Sequence, residues 1–279
     1  MTSYAYYNGQ FGKRDEIKIP LSDRSIFFGD AVYDTAIGCY DRILWEIEHI
    51  ERLLCNAQRL GIEHKYTRRK LSSLIREISV KSTFGTCMIY IQISRDLMAR
   101  NHSAVGCGAN LLITVEPIII DRFPKPMKLI TAEDKRYGYC DVKTINLLPA
   151  VLSSTEAETA GCDEAIFIRN NIVTECSKSN ISIIKQGRLI THPISSRILP
   201  GITRAHLLEG CRKLGIPFKE IEFTKAELFS ADEILISSTT KLCKTASHID
   251  SLPVGGGANE IASAIQNYLY SEFSTFCLI

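Results

Sequence analysis

The sequence predicts an α+β (mixed α/β) fold built in two halves, and three observations carry that expectation. Apolar runs rich in β-branched residues, "TCMIYIQISR" and "ANLLITVEPIII", have the character of adjacent strands. Apolar residues recurring at the helical period, first Ile50, Leu53, Leu54, Ala57 and Leu60, mark amphipathic helices. Pro117, Pro124 and Pro126 bracket "PIIIDRFPKP", where proline restricts itself and the residue before it. That stretch is the candidate linker, and it divides the chain into an N-terminal half, 1–120, and a C-terminal half, 121–279.

In the first half, short strands are expected at Ile17 to Ile19 and at Ile43 to Ile47, with a Gly-Asp turn in "DRSIFFGDAVYDTAIGCY" separating them. A helix at His49 to Leu60 is stopped by Gly61, and Leu71, Leu74, Ile75 and Ile78 mark the next. In the second half, "MKLITAE" is a strand and a helix runs near Ala150 to Ala160. Strands follow at "EAIFIRN", "NISIIKQ" and "RLITHP", with Asn170-Asn171 and Gln186-Gly187 as turn signals. A helix at Ile202 to Leu214, strands at "IEF" and "EILISS", and a helix at Asn259 to Phe273 complete the order.

Composition excludes several classes of partner. The chain of 279 residues has 33 Lys+Arg against 31 Asp+Glu, a net charge of +2 that gives no footprint for nucleic acid or an anionic membrane. The 10 cysteines fall singly, with no C-x-x-C pair and no metal-ligand spacing, and are expected to be reduced, mostly buried thiols. No apolar stretch approaches the length of a membrane span, and the start of the chain lacks a signal-peptide pattern. A cytoplasmic protein with a small-molecule partner and no metal is the expectation.

Several residues could carry chemistry. Lys143 sits among Val142, Ile145, Leu147 and Leu148 in "RYGYCDVKTINLLPAVL". It is either an amine snorkelling to solvent or a desolvated nucleophile able to form a Schiff base with a carbonyl. Glu175, in "NNIVTECSKSN", is either a solvated strand-end carboxylate or a fixed anion able to hold a protonated ring nitrogen. Ser177, Ser179 and Asn180 crowd behind it as a turn or as phosphate ligands. Pro200-Gly201 precedes an apolar-periodic helix whose Ile202 and Thr203 amides form an anion site by backbone geometry. Arg52 falls opposite its helix's apolar stripe, which taken alone says solvated arginine. The hydroxyls of "SSTTKL" suit phosphate or a plain turn. Arg95, Arg100 and His102 form a local basic cluster that could clamp a carboxylate or simply line a surface loop.

Taken in order, "FGDAVYD", "EHIERL", "ARNH", "CDVKTINLLPAVL", "EAIFIRNNIVTECSKSN", "THPISSRILPGITR" and "ISSTT" resemble the motifs of the fold-type IV pyridoxal-phosphate enzymes over essentially the whole chain. Within that superfamily the chain is most similar to the D-amino acid (D-alanine) aminotransferases, because Arg100-Asn101-His102 matches their Arg-x-His loop. The resemblance implies a two-domain fold with pyridoxal 5'-phosphate in the cleft between domains, Lys143 as the Schiff-base and catalytic lysine, and Glu175 on the pyridine nitrogen. It implies phosphate binding by Arg52, the amides of Ile202 and Thr203, and Thr240, with Ser179 and Asn180 in the same pocket and Leu199 packed on the ring. Tyr33, Arg100 and His102 would bind the substrate carboxylate, the substrates being an amino acid and a 2-oxo acid. A homodimer, with the Arg-x-His loop serving the neighbouring subunit, is implied as well.

The same cofactor residues would also serve a branched-chain L-amino acid aminotransferase, an aminodeoxychorismate lyase, or a cofactor-binding protein with little turnover. Four positions depart from the usual family pattern: Ala31 and Asp34 stand where Gly and Glu are common, and Cys176 and Lys178 where Gly and Ser are usual.

Overall fold

The computed structural model describes residues 3–106 and 108–278. Cys107, one of the cysteines read as a thiol, lies outside them. The chain divides into two compact units, one of residues 1–119, 142–146 and 276–279, the other of 120–141 and 147–275. A single cut at residue 121 would put Lys143 in the second unit; the structure places it in the first. Backbone pairing is the reason: Tyr33 N–H donates to the Lys143 carbonyl at 2.9 Å, and Val32 and Thr144 form a β-bridge.

The first unit opens with β1 (Tyr4–Tyr7), β2 (Gln10–Lys13), the short helix α1 (Arg24–Phe28), β3 (Ala31–Cys39) and β4 (Arg42–Ile43). Helices α2 (Glu46–Arg59) and α3 (Arg68–Lys81) and strands β5 (Thr86–Arg95) and β6 (Ala109–Pro117) follow. The strands form one antiparallel sheet in the order β2-β1-β6-β5-β3-β4. Ile50, Leu53 and Ala57 of α2 are each at most 1% exposed and pack with Leu71, Ile75 and Ile78 of α3 against Ile89, Ile91 and Ile113 of the sheet. Full burial of a Leu or Ile side chain stabilises by about 1.5–3 kcal/mol, so this stripe fixes the helices on the sheet. Thr67 caps α3 by accepting from Lys70 N–H, and Asp23 caps α1 by accepting from Ser25 N–H.

Two expected strands of this half are corrected. Ile17 to Ile19 has no strand, because Arg14–Glu16 turn as a 3-10 helix and the pairing segment is β2, upstream. The strand at Ile43 to Ile47 shrinks to β4, because α2 begins at Glu46. Gly29 ends α1 at φ 59°, and a Cβ there would collide with Asn146 Oδ1, so this junction requires glycine.

The second unit contains β7 (Met127–Glu133), α4 (Leu148–Thr159), β8 (Glu164–Arg169), β9 (Ile172–Cys176), β10 (Asn180–Lys185) and β11 (Arg188–Thr191). Then come α5 (Ile202–Leu214), β12 (Phe218–Glu220), α6 (Lys225–Phe229), β13 (Glu233–Ser238), β14 (Leu242–Ile249), β15 (Leu252–Pro253) and α7 (Asn259–Leu278). The mixed sheet runs β12-β11-β10-β13-β14-β7-β8-β9, with β15 paired to β14. Both expected hairpin turns form with positive φ at each central residue, 51° and 65° at Asn170-Asn171 and 50° and 71° at Gln186-Gly187. The "IEF" strand lies instead at Phe218–Glu220, where Leu189 pairs with Phe218 and fixes the register. The core gathers Leu129, Ile166, Ile181, Ile183, Ile234 and Ile236 with Phe223 and Leu228. No described helix is long and apolar enough to cross a membrane.

Candidate active site

Lys143 is half-buried, and its Nζ stands 4.4 Å from the centroid of the Tyr33 ring. Tyr33 stacks in turn on Tyr90, with centroids 5.3 Å apart. The amine therefore lies over an aromatic face in the first unit.

One residue along β3, Asp34 is fully buried and both its oxygens are occupied. His49 Nδ1 reaches Oδ1 at 2.7 Å, and Arg52 donates from Nη2 to Oδ1 and from Nε to Oδ2, each at 2.8 Å. Burial raises the Asp34 pKa, but the guanidinium and the imidazole outweigh it and hold the carboxyl well below the usual range. His49 is pushed down by its own burial, and by the Arg52 and Lys143 charges, against the pull of Asp34. A neutral His49 donates from Nδ1 to the carboxylate, which leaves Nε2 buried without a hydrogen-bond partner. The periodicity that marked Arg52 as solvated is corrected here: its side chain is only 12% exposed, because Asp34 lies beneath that face of α2. His49 was not singled out from sequence, although its i, i+3 spacing to Arg52 puts both on one face.

Arg100 and His102 gather on Phe28. The Arg100 guanidinium carbon is 5.4 Å from the ring centroid, and the His102 and Phe28 rings are 5.2 Å apart. Arg24 of α1, also unanticipated, lies 4.5 Å from the same centroid.

In the second unit Glu175 is 5% exposed on β9. Its Oε2 accepts from Asn180 Nδ2 and from Leu199 N–H, both at 3.0 Å, and its Oε1 accepts from Arg136 Nη1. Arg136 also donates to Asp134 from Nε at 2.9 Å and from Nη2 at 3.0 Å. Glu175 is therefore buried and held, not a solvated strand-end carboxylate. Asn180 Nδ2 donates as well to the Leu199 carbonyl at 2.9 Å, and Asn180 Oδ1 fills the space that a Cβ on Gly201 would need. Glu175, Asn180, Leu199 and the start of α5 are thus one packed cluster.

Gly201 is the N-cap of α5 and supplies no side-chain cap, leaving the Ile202 and Thr203 amides at a bare helix N-terminus. Thr203 Oγ1 is buried with no hydrogen-bond partner. So is Ser237 Oγ, on the residue paired with Asn180 across β10 and β13. Thr240 is half-buried in the turn after β13. Ser179 Oγ is already engaged, donating to Glu164 at 3.1 Å and accepting from Lys241 Nζ at 3.1 Å. Lys178 presents an exposed side chain and uses its N–H on Glu164 Oε1 at 2.6 Å. Burial pushes the Cys176 thiol well up, so it stays protonated at neutral pH.

This chain belongs to the class IV aminotransferases: the family model described as "Amino-transferase class IV" matches residues 31–249. It is a transaminase of that family. Among its relatives is the D-alanine aminotransferase of Bacillus licheniformis, 35% identical over 276 residues, covering 95% of this chain and 97% of that one. The D-alanine aminotransferase of Staphylococcus aureus (strain MSSA476) is 36% identical over 283 residues, covering 96% and 98%. Among solved structures, the branched-chain aminotransferase of Thermoproteus uzoniensis with norvaline superposes with a TM-score of 0.89 at 23% identity, covering 99% and 97%. A T.th. branched-chain amino acid aminotransferase, solved with pyridoxamine 5'-phosphate, has a TM-score of 0.90 at 22% identity, covering 98% and 95%. At these identities the solved structures share the fold.

The cofactor of the family is pyridoxal 5'-phosphate, and the residues present fit it. The orphaned hydroxyls of Thr203, in the first turn of an uncapped helix, and of Ser237, paired with Asn180 across the sheet, match a phosphate's need for donors. A buried, fully oriented carboxylate at Glu175 matches a protonated ring nitrogen.

Proposed function

We propose that the chain exchanges the amino group between a D-amino acid such as D-alanine and a 2-oxo acid such as 2-oxoglutarate or pyruvate. The observation that carries the enantiomer choice is the Arg100-Asn101-His102 loop, whose two polar side chains share the Phe28 platform. The 35% identity to a D-alanine aminotransferase over nearly the whole chain supports the same reading.

When bound, pyridoxal phosphate supplies an aldehyde that takes up the amino group and a ring that accepts the electron pair left at Cα. Lys143 Nζ would hold that aldehyde. Its free amine would move the proton at substrate Cα, taking it as general base and returning it to the substrate–cofactor system as general acid. Glu175 would hold the ring nitrogen's proton, and Leu199 would pack on the ring. Arg52, the Ile202 and Thr203 amides, and Thr240 would hold the phosphate, with Ser179 and Asn180 in support. Tyr33, Arg100 and His102 hold the substrate carboxylate so that Cα–H faces the lysine amine.

The protein acts as a cytoplasmic homodimer in this reading. Exposed Leu148, Val151 and Leu152 on α4 supply an apolar face suited to a second copy. Unpaired thiols at all described cysteines suit a reducing compartment. The test is an absorbance titration of holoenzyme with D-alanine and with L-leucine, each followed by 2-oxoglutarate. Cycling with D-alanine is expected, and cycling with L-leucine alone would overturn the choice.

A further inference from the structure

We propose that Arg24 is the positioning residue that sets the Arg100-His102 clamp, with Phe28 as its platform; this rests on the carboxylate-binding reading of that loop. Arg24 is 4% exposed, an unusual depth for a guanidinium, and the polar contacts of its head either serve the same loop or anchor it. Nη1 donates to the Asn101 carbonyl and lies 3.7 Å from Met98 Sδ, while Nη2 donates to the His102 carbonyl at 3.1 Å. Two consecutive main-chain carbonyls in a segment without regular structure are therefore held by one fork.

The fork is itself fixed from behind. Arg24 Nε donates to Asp30 Oδ2 at 2.8 Å, and the same oxygen accepts from Arg95 Nε at 3.0 Å. Arg95 reaches on to the Leu60 and Gly61 carbonyls at 2.8 and 2.6 Å, tying the group to the end of α2. Arg24, Arg100 and His102 then meet around one ring, since all three lie within 5.4 Å of Phe28. A pocket of about 410 Å³ lined by Arg24, Asp30, Glu63, Arg95 and His102 opens beside them.

Arg100 and His102 are exposed, so without this scaffold both would sample many rotamers and binding a carboxylate would have to order them. The fixed peptide planes at 101 and 102 remove much of that cost before substrate arrives. Arg24 acts through the loop and touches no substrate.

The experiment compares Arg24→Met, Arg24→Lys and Phe28→Leu with wild-type holoenzyme. Arg24→Met is expected to raise KM for D-alanine about tenfold, the scale set by ordering two long side chains, with kcat and the cofactor's absorption spectrum unchanged. Arg24→Lys, which keeps the Asp30 pair with a point charge but loses the fork, should fall between. Phe28→Leu should raise KM with Arg24 intact. Amide exchange at residues 99–106 should accelerate in Arg24→Met. Wild-type KM in a folded Arg24→Met overturns the inference; should that variant not fold, wild-type KM in both Arg24→Lys and Phe28→Leu overturns it. A wild type inert toward D-amino acids would sink the functional reading instead. Exchange rates that Arg24→Met leaves unchanged would still count against the positioning role.

Discussion

Asp34 and Glu175 are both buried carboxylates with every oxygen engaged, and they are wired differently. Asp34 spends both oxygens on a guanidinium and an imidazole from one helix face. Glu175 gives one oxygen to a guanidinium and the other to two neutral donors, a side-chain amide and a main-chain N–H. The first arrangement neutralises a charge and locks α2 onto β3. The second aims an anion at a fixed point beside an uncapped helix N-terminus. Burial of an acid does not by itself mark chemistry; the kind of partner does.

The largest expected effect lies with the lysine that separates chemistry from scaffold. Lys143→Ala should lower kcat by about 10⁴-fold, the upper range for losing a general acid-base group, with the thermal unfolding midpoint preserved. Stopped-flow spectra with D-alanine check it. Next, Asp34→Ala leaves a buried guanidinium without its anion and should cost about 3–5 kcal/mol in urea denaturation. Glu175→Gln should lower kcat about a hundredfold while leaving urea stability close to wild type. The comparison breaks if these two effects are exchanged, with Glu175→Gln unstable and Asp34→Ala stable but inactive.

The smallest effect sharpens the comparison through pH. Because the folded Asp34 pKa lies below its unfolded value of about 3.9, its stabilisation is fully present above that value and is lost progressively as pH falls from it toward the folded pKa. The stability gap separating wild type from Asp34→Asn should therefore narrow below about pH 4, read from urea midpoints across the acid range.

Much of the fold was legible because its signals are local. Asn170-Asn171 and Gln186-Gly187 announce positive φ, and the α2 stripe announces its own burial. One miss passed over a local signal as well: Ile17 to Ile19 has strand-like residues, but β1 pairs with Gln10–Lys13 across Asn8-Gly9, a two-residue turn with positive φ at both positions. The site divides the same way. Lys143 and Glu175 gained meaning from ordered motifs, whereas Arg24, His49 and Arg136 did not stand out. Their roles come from contacts 77, 15 and 39 residues away along the chain, which no local period encodes.

Residues 142–146 have a consequence for synthesis. A ribosome that has released the first 119 residues has not yet delivered Val142, a member of the first core, or Thr144, the bridge partner of Val32. Nor has it delivered Phe276, whose carbonyl accepts from Arg42 Nη1 at 2.6 Å. The first unit to emerge is the last to be completed, and the reactive lysine arrives with one of its finishing pieces. The first unit is in this way completed in two steps, residues 142–146 bringing the lysine well before Phe276 arrives.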